Sequence, residues 1–257
     1  MSFLIINHTK INIRYIESRA ERFIDYCDHL PGLTVIFEPW RENITHSKPI
    51  CAVGGCCFYD SNAEGGFIVI SKESIYVKMN SLCDTVSVYF SENLPSHRFN
   101  DVMELITYAY AYAVTRNGGI CLKTLPIAKG GAYECLCAQY DTLADKLYSS
   151  YLMDEIKTGT AKMYCVFKQG DEHILCAMPW NTKKNESLIT PAHIKRIVCL
   201  KRGDTPKLIR LNVQQAVTLL RSNSFLCNSD DEKNSLFLDN ISSVAENLDV
   251  YTAVCDV

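Results

Sequence analysis

Between positions 48 and 90 the chain is a run of short β-patterned segments cut by turn residues, and this run limits the possible folds more than any other feature. The segments 51–59, 66–70, 74–78 and 85–90 are rich in β-branched and aromatic residues, and Asp60-Ser61-Asn62, Ser71-Lys72 and Asn80-Ser81 separate them. Short strands joined by such turns pair with their sequence neighbours, so an antiparallel meander is expected. Ahead of it, 10–15 alternates like a half-buried strand, and 17–30 puts Ala20, Phe23, Ile24 and Cys27 on one helical face. Pro31-Gly32 stops that helix, and 33–37 reads as another strand.

The strongest helical period follows, at 100–116, where Val102, Leu105, Ile106, Ala109, Tyr110 and Ala113 recur at three and four residues before Asn117-Gly118-Gly119. Tyr108, Tyr110 and Tyr112 spread around that helix, so they are expected to pack rather than form a stacking platform for bases. Strands are expected at 120–123, 125–128 and 133–138, then a helix over 142–156. A hairpin of 162–168 and 173–177 turns at Gln169-Gly170-Asp171. A loop at 179–190 leads to a strand at 194–201, a turn at 202–206 and a strand at 207–211. Asn212-Val213-Gln214-Gln215 opens a helix to 222; a helix over 230–247 and a strand at 250–254 close the chain. The fold class is mixed α/β with a β-rich middle, without repeats or low-complexity segments.

Composition removes several functions. Lys+Arg 26 against Asp+Glu 29 gives a net charge of -3, which excludes a globally basic nucleic-acid binder. No window of about 18 apolar residues suggests a membrane span, and the N-terminus lacks a signal-peptide pattern, so a cytoplasmic protein with reduced thiols is expected. The 13 cysteines are odd in number and scattered, unlike a secreted disulfide framework. Cys56-Cys57 and Cys135-Leu136-Cys137 are the close pairs; there is no C-x-x-C, and the six histidines lack partners at ligand spacing. Most cysteines sit among Leu, Ile, Val and Ala, as small apolar strand residues do. A redox or metal role for Cys135 and Cys137 is the competing reading.

From residue 118 onward the order of segments resembles the HPr kinase/phosphorylase-like family, which shares its fold with phosphoenolpyruvate carboxykinase. Ile120-Cys121-Leu122-Lys123 stands where that family has its first strand, and Lys129-Gly130-Gly131-Ala132-Tyr133 at the turn before its phosphate-loop strand. Ala177-Met178-Pro179-Trp180 matches a "G-T-P-W" segment, and positions 191–203, ending Lys201-Arg202-Gly203, match the following block. Leu208-Ile209-Arg210-Leu211 with Leu219-Leu220 matches the helix block, and 249–255 the terminal strand. The resemblance implies an HPr kinase/phosphoenolpyruvate carboxykinase-like P-loop core over 100–257, behind an N-terminal strand–helix and antiparallel β-rich region over 1–99, the two packed as one unit.

The resemblance also locates the working residues, and they are replaced. A phosphate loop needs glycines so that backbone N–H groups can surround the phosphates, a Lys for the oxygens and Ser/Thr for magnesium. The matching stretch, Gln139, Tyr140, Asp141, Thr142, Leu143, Ala144, Asp145 and Lys146, has no glycine, and its Lys falls one to three residues late. The family's acidic turn aligns with Gly159-Thr160-Ala161-Lys162, which holds no carboxylate; Asp154 and Glu155 are nearest. The family's strand His is Lys123 here.

Phosphoryl transfer depends on positioning and on electrostatic stabilisation by metal and cations, so the expectation is a catalytically inactive pseudoenzyme that binds a protein or peptide, without cofactor or metal. Lys123 and Trp180 mark its possible substrate or phosphate side. A second reading is an active kinase using ATP and Mg, with Lys123 and Lys146 on phosphate and Asp141, Asp145, Asp154 or Glu155 on metal. A third is an unrelated α/β interaction protein.

Overall fold

The computed structural model describes residues 3–21, 31–40, 47–53, 55–60, 66, 68–91, 93–138, 144–152, 162–178, 192–224 and 231–256. These form two compact units, one holding Met1–Asn117 and the other most of the chain from Gly118 onward. Each is built on a seven-stranded sheet.

The first unit contains β1 (Phe3–Asn7), α1 (Arg14–Glu21), β2 (Leu33–Pro39), β3 (Cys51–Val53), β4 (Cys56–Phe58), β5 (Ile68–Lys72), β6 (Ile75–Met79), β7 (Thr85–Phe90) and α2 (Phe99–Arg116). Strands β3 to β7 pair antiparallel with their neighbours, which is the expected meander, while β1, β2 and β7 lie parallel. Alternation buries Leu33, Val35 and Phe37 of β2 and Val86, Val88 and Phe90 of β7. Thirteen of the 18 residues of α2 are buried, including Tyr108, Tyr110 and Tyr112, so those rings pack. Phe58 meets Tyr108 edge-on at 5.5 Å, and the Tyr110 hydroxyl donates to the Pro31 carbonyl at 3.1 Å. The start of α2 is pinned by Lys72, whose Nζ lies 2.9 Å from Asp101 and 2.6 Å from Glu104.

Expected elements of this unit differ in three places: the segment 51–59 is two paired strands, β3 and β4, and Ser71-Lys72, expected between strands, ends β5. Positions 10–15 are not a strand: the strand is β1, and Arg14 already begins α1. Asn12 Oδ1 accepts from Arg14 N at 3.1 Å, and the Ile13 carbonyl accepts from Ile16 N and Glu17 N. The apolar–polar alternation there is a turn feeding a helix, and a side-chain hydrogen bond to the backbone decides it.

The second unit contains β8 (Ile120–Lys129), β9 (Ala132–Ala138), α3 (Ala144–Leu152), β10 (Lys162–Gln169), β11 (Glu172–Ala177), β12 (Ala192–Arg202), β13 (Lys207–Arg210), α4 (Val213–Asn223), the part of α5 (Asp231–Asn247) from Phe237 onward, and β14 (Asp249–Cys255). The sheet order is β11-β10-β8-β9-β12-β14-β13, and β11 also pairs with β12, so β8 to β12 close on themselves. β12 runs parallel to β9 and β14, and the remaining pairs are antiparallel. The fold is thus α/β with mixed sheets. Register and alternation put Leu122, Tyr164, Leu175, Cys135, Ile197 and Cys199 on the enclosed side. Leu125, Leu136, Val198 and Leu200 face outward, where Leu147 and Tyr148 of α3 cover them.

The strands expected at 120–123 and 125–128 are one strand, β8, running through Pro126. A proline cannot donate to a ladder; β10 pairs only with Ile120 to Thr124, so the missing N–H costs no hydrogen bond on that side. The expected domain boundary at 99/100 and the boundary between the compact units at 117/118 differ by the length of α2, which packs on β5 and β6 of the first unit. No helix among the described residues is long and apolar enough to cross a membrane.

Candidate functional site

Strand β9 carries one charged residue, Glu134, in an otherwise apolar run, and it is only 2% exposed. A buried carboxylate must be compensated by hydrogen bonds and opposite charge. β12 supplies both: its register sets Arg196 opposite Glu134, after an irregularity between Ile194 and Arg196 that turns Arg196 to the α3 side. Arg196 donates from Nε at 2.8 Å and lies with Nη2 at 2.7 Å from Glu134 Oε2, while the Tyr151 hydroxyl donates to Oε1 at 2.6 Å. The Arg196 guanidinium also lies 5.5 Å from the Tyr251 ring centroid.

Burial, and then the hydrogen bond to Glu134, push the Tyr151 phenol above its usual pKa. Burial works against charged Arg196, but its hydrogen bond and ion pair with Glu134 outweigh this and raise its pKa. Both oxygens of Glu134 are engaged, Oε2 by Arg196 and Oε1 by the Tyr151 hydroxyl. The role of Glu134 is to tie α3 and β12 to β9.

The strand–loop–helix junction after β9 is where the family resemblance sets its phosphate loop. Gln139, Tyr140, Asp141, Thr142 and Leu143 lie outside the described residues, as do Trp180, Asp154 and Glu155. Ala144, Asp145 and Lys146 form the first turn of α3. Ala144 packs against the cluster under the helix, and Lys146 is exposed. Lys123 is half-buried on β8, opposite Met163 of β10, and shares a strand face with Leu125, hence the α3 side of the sheet. Among the described residues no three His, Cys, Asp or Glu side chains gather at metal-binding spacing. Cys135, Cys137 and Cys199 are buried, and burial raises the Cys135 thiol pKa well above its usual value. A buried thiol with a raised pKa, as at Cys135, is a poor nucleophile.

A second feature of the same unit is an exposed strand. β13 is the last strand of the sheet, and all four of its residues are exposed. Leu208 and Ile209, on its opposite faces, are 47% and 41% exposed, and Val213 just beyond is 42% exposed. A depression of about 350 Å³ adjoins the strand, lined by Tyr151, Pro206, Leu208, Ala253 and Cys255 among others. Sequence reasoning did not single out Glu134, Arg196, Tyr151 or β13. The lone charge inside the apolar run of β9 was the available signal for Glu134, whereas Arg196 is one of several basic residues on β12 and carried none. The exposure of β13 depends on which strand ends the sheet, a long-range property. No protein-family model matches the chain, and no curated protein matches it.

Proposed function

We propose that the chain is a protein- or peptide-binding module on an HPr kinase-like frame that has lost phosphoryl-transfer chemistry. The observation that carries this reading is the junction between β9 and α3: from Leu136 to Lys146 there is no glycine, and Asp145 stands second in the helix. A phosphate cradle needs backbone N–H groups that only a glycine-rich loop can bring close, and a helix N-terminus free of like charge. These residues do not fit ATP with Mg. The buried carboxylate on the preceding strand is held by Arg196 and Tyr151, so it does not stand in for a missing metal ligand. What supports binding is exposed apolar surface on β13 and beside it.

Calorimetric titration of the full chain with ATP and Mg tests the reading. The expected result is no saturable heat at millimolar nucleotide. Magnesium-dependent binding at micromolar concentration would overturn it in favour of an active kinase with a rewired site, and Lys146→Ala would then show whether α3 takes part.

A further inference from the structure

Three thiols lie in a row across the second sheet. Cys121 of β8 stands opposite Cys165 of β10, and Cys165 stands opposite Cys176 of β11, each pair in direct register across antiparallel strands. Register partners share a face, so the three sulfurs lie on the side away from Leu122, Tyr164 and Leu175. The three residues are 2%, 0% and 1% exposed, and the Sγ atoms of Cys121 and Cys165 are 3.9 Å apart. Residues directly opposite on antiparallel strands have Cα atoms about 4.5 or about 5.5 Å apart, inside the span of about 4.4–6.8 Å that a disulfide bridges. The two sulfurs can therefore join by side-chain rotation, without moving the strands. Apolar filling asks only for volume. It gives no reason for two sulfurs to meet across one strand pair and a third to stand next in line. The row does not chelate either: the outer two cysteines are two strand spacings apart, about 9.6 Å, and no metal-binding group of three is found among the described residues.

Burial selects the reagent. Glutathione-sized disulfides are too large to reach sulfurs this deep in an intact sheet, whereas hydrogen peroxide is close to water in size. We propose that Cys121, Cys165 and Cys176 form an oxidation site that takes a water-sized peroxide and stores its two oxidising equivalents as a Cys121–Cys165 disulfide. The Cys165 sulfur attacks the peroxide, an S–O bond forms as the O–O bond breaks, and one water leaves, giving a sulfenic acid. The Cys121 sulfur then attacks that sulfur, the S–S bond forms as the S–O bond breaks, and the second water leaves with the Cys121 proton. The two thiols lose two electrons and the peroxide gains them. Cys165 is the centre because a sulfenic acid there has a thiol on each side, and it closes to a disulfide before a second peroxide carries it to the irreversible sulfinic acid. Burial slows the first step by disfavouring the thiolate, and it then shields the finished bridge from reducing thiols. The bridge joins residues 44 apart and staples β8 to β10, which stabilises the unit mainly by constraining the unfolded chain. The site is separate from the β9–α3 junction, so the ATP titration does not bear on it.

The test treats the full, reduced chain with excess hydrogen peroxide, unfolds it in N-ethylmaleimide and maps bridged peptides by mass spectrometry. Trypsin cuts after Arg116, Lys123, Lys162 and Lys168, so the three cysteines fall in separate peptides. The expected product is 117–123 joined to 163–168, with the unfolding midpoint raised by about 5 °C or more and returned to its starting value by a phosphine reductant. Glutathione disulfide at equal concentration is expected to give far less bridge in the same time. Cys121→Ala is expected to move the bridge to Cys165 and Cys176. Cys121→Ala with Cys176→Ala is expected to leave a sulfenic acid on Cys165 that dimedone captures. Where a variant fails to fold, the peptide map of the parent decides alone. Maleimide on both Cys121 and Cys165 after peroxide, a bridge from either to a cysteine outside the row, or glutathione disulfide acting as fast as peroxide would each overturn the proposal.

Discussion

Arg196 sets both Nε and Nη2 within 2.8 Å of a single oxygen of Glu134, leaving the other oxygen to the Tyr151 hydroxyl. Glu134 is 2% exposed, so its charge depends on this arrangement. Removing one partner of a buried pair strands the other charge, at about 3–5 kcal/mol. Glu134→Ala and Arg196→Ala are each expected to lower unfolding free energy by that amount in urea titration. Glu134→Leu with Arg196→Met should cost much less than the two single changes together. A single-variant cost below about 1 kcal/mol would mean that the pair does not hold α3 and β12 to β9.

Gly203 makes a second prediction. Its N–H donates to the Cys255 carbonyl at 3.0 Å, and a Cβ there would lie 2.5 Å from Val254 Cγ1. Overpacking of this kind costs about 1–3 kcal/mol. Gly203→Ala is expected to destabilise by that amount, and Val254→Ala in the same chain to recover most of the loss. Additive effects of the two substitutions would show that they do not meet.

Most elements of this fold were legible from local signals, the alternation at 10–15 being an exception that a turn into α1 explains. The meander rests on turn residues between short β runs, α2 on a three–four apolar period, and the β10–β11 hairpin on Gly170, which takes φ 63 at its turn. What stayed hidden was long-range. The closure of β8 to β12 depends on a pairing of Ile174 with His193 that no local pattern announces. The partners of Glu134 come from 17 and 62 residues away. The β9–α3 junction follows from the local readings of a strand at 133–138 and a helix over 142–156, while the exposure of Leu208 and Ile209 follows only from β13 ending the sheet.

Asn212 tests a local device. Its side chain accepts from Gln215 N at 3.0 Å, and the Gln215 side chain accepts from Asn212 N at 3.2 Å, a reciprocal cap on α4. Asn212→Ala is expected to cost about 1 kcal/mol in thermal or urea unfolding, and Asn212→Asp to retain most of the stability. An Asn212→Ala protein as stable as the parent would mean that the packing of Ala216 and Leu220 holds the helix start unaided.

His173 on β11 is 2% exposed, and neither ring nitrogen has a hydrogen-bond partner among the described residues. Burial, and secondarily Lys168, hold its pKa below the ordinary 6.5. The folded protein therefore resists protonation while the unfolded chain accepts it, so the unfolded state binds more protons below about pH 6.5. Stability is complete above that pH and is lost as pH falls through it. Asp84 and Asp101 are also displaced downward, from their ordinary 3.8, by the Asn80 hydrogen bond for the first and, against burial, by Lys72 and Arg98 for the second; for these acids the charged form is the one favoured. The stability they contribute is present above pH 3.8 and disappears only in stronger acid, outside the histidine window. Urea unfolding from pH 7.5 to 5 is thus expected to show stability declining in the parent, and His173→Leu to remove much of that slope without lowering stability at pH 7.5. An unchanged slope in His173→Leu would mean that the ring is protonated equally in both states, which a buried imidazole beside Lys168 does not allow.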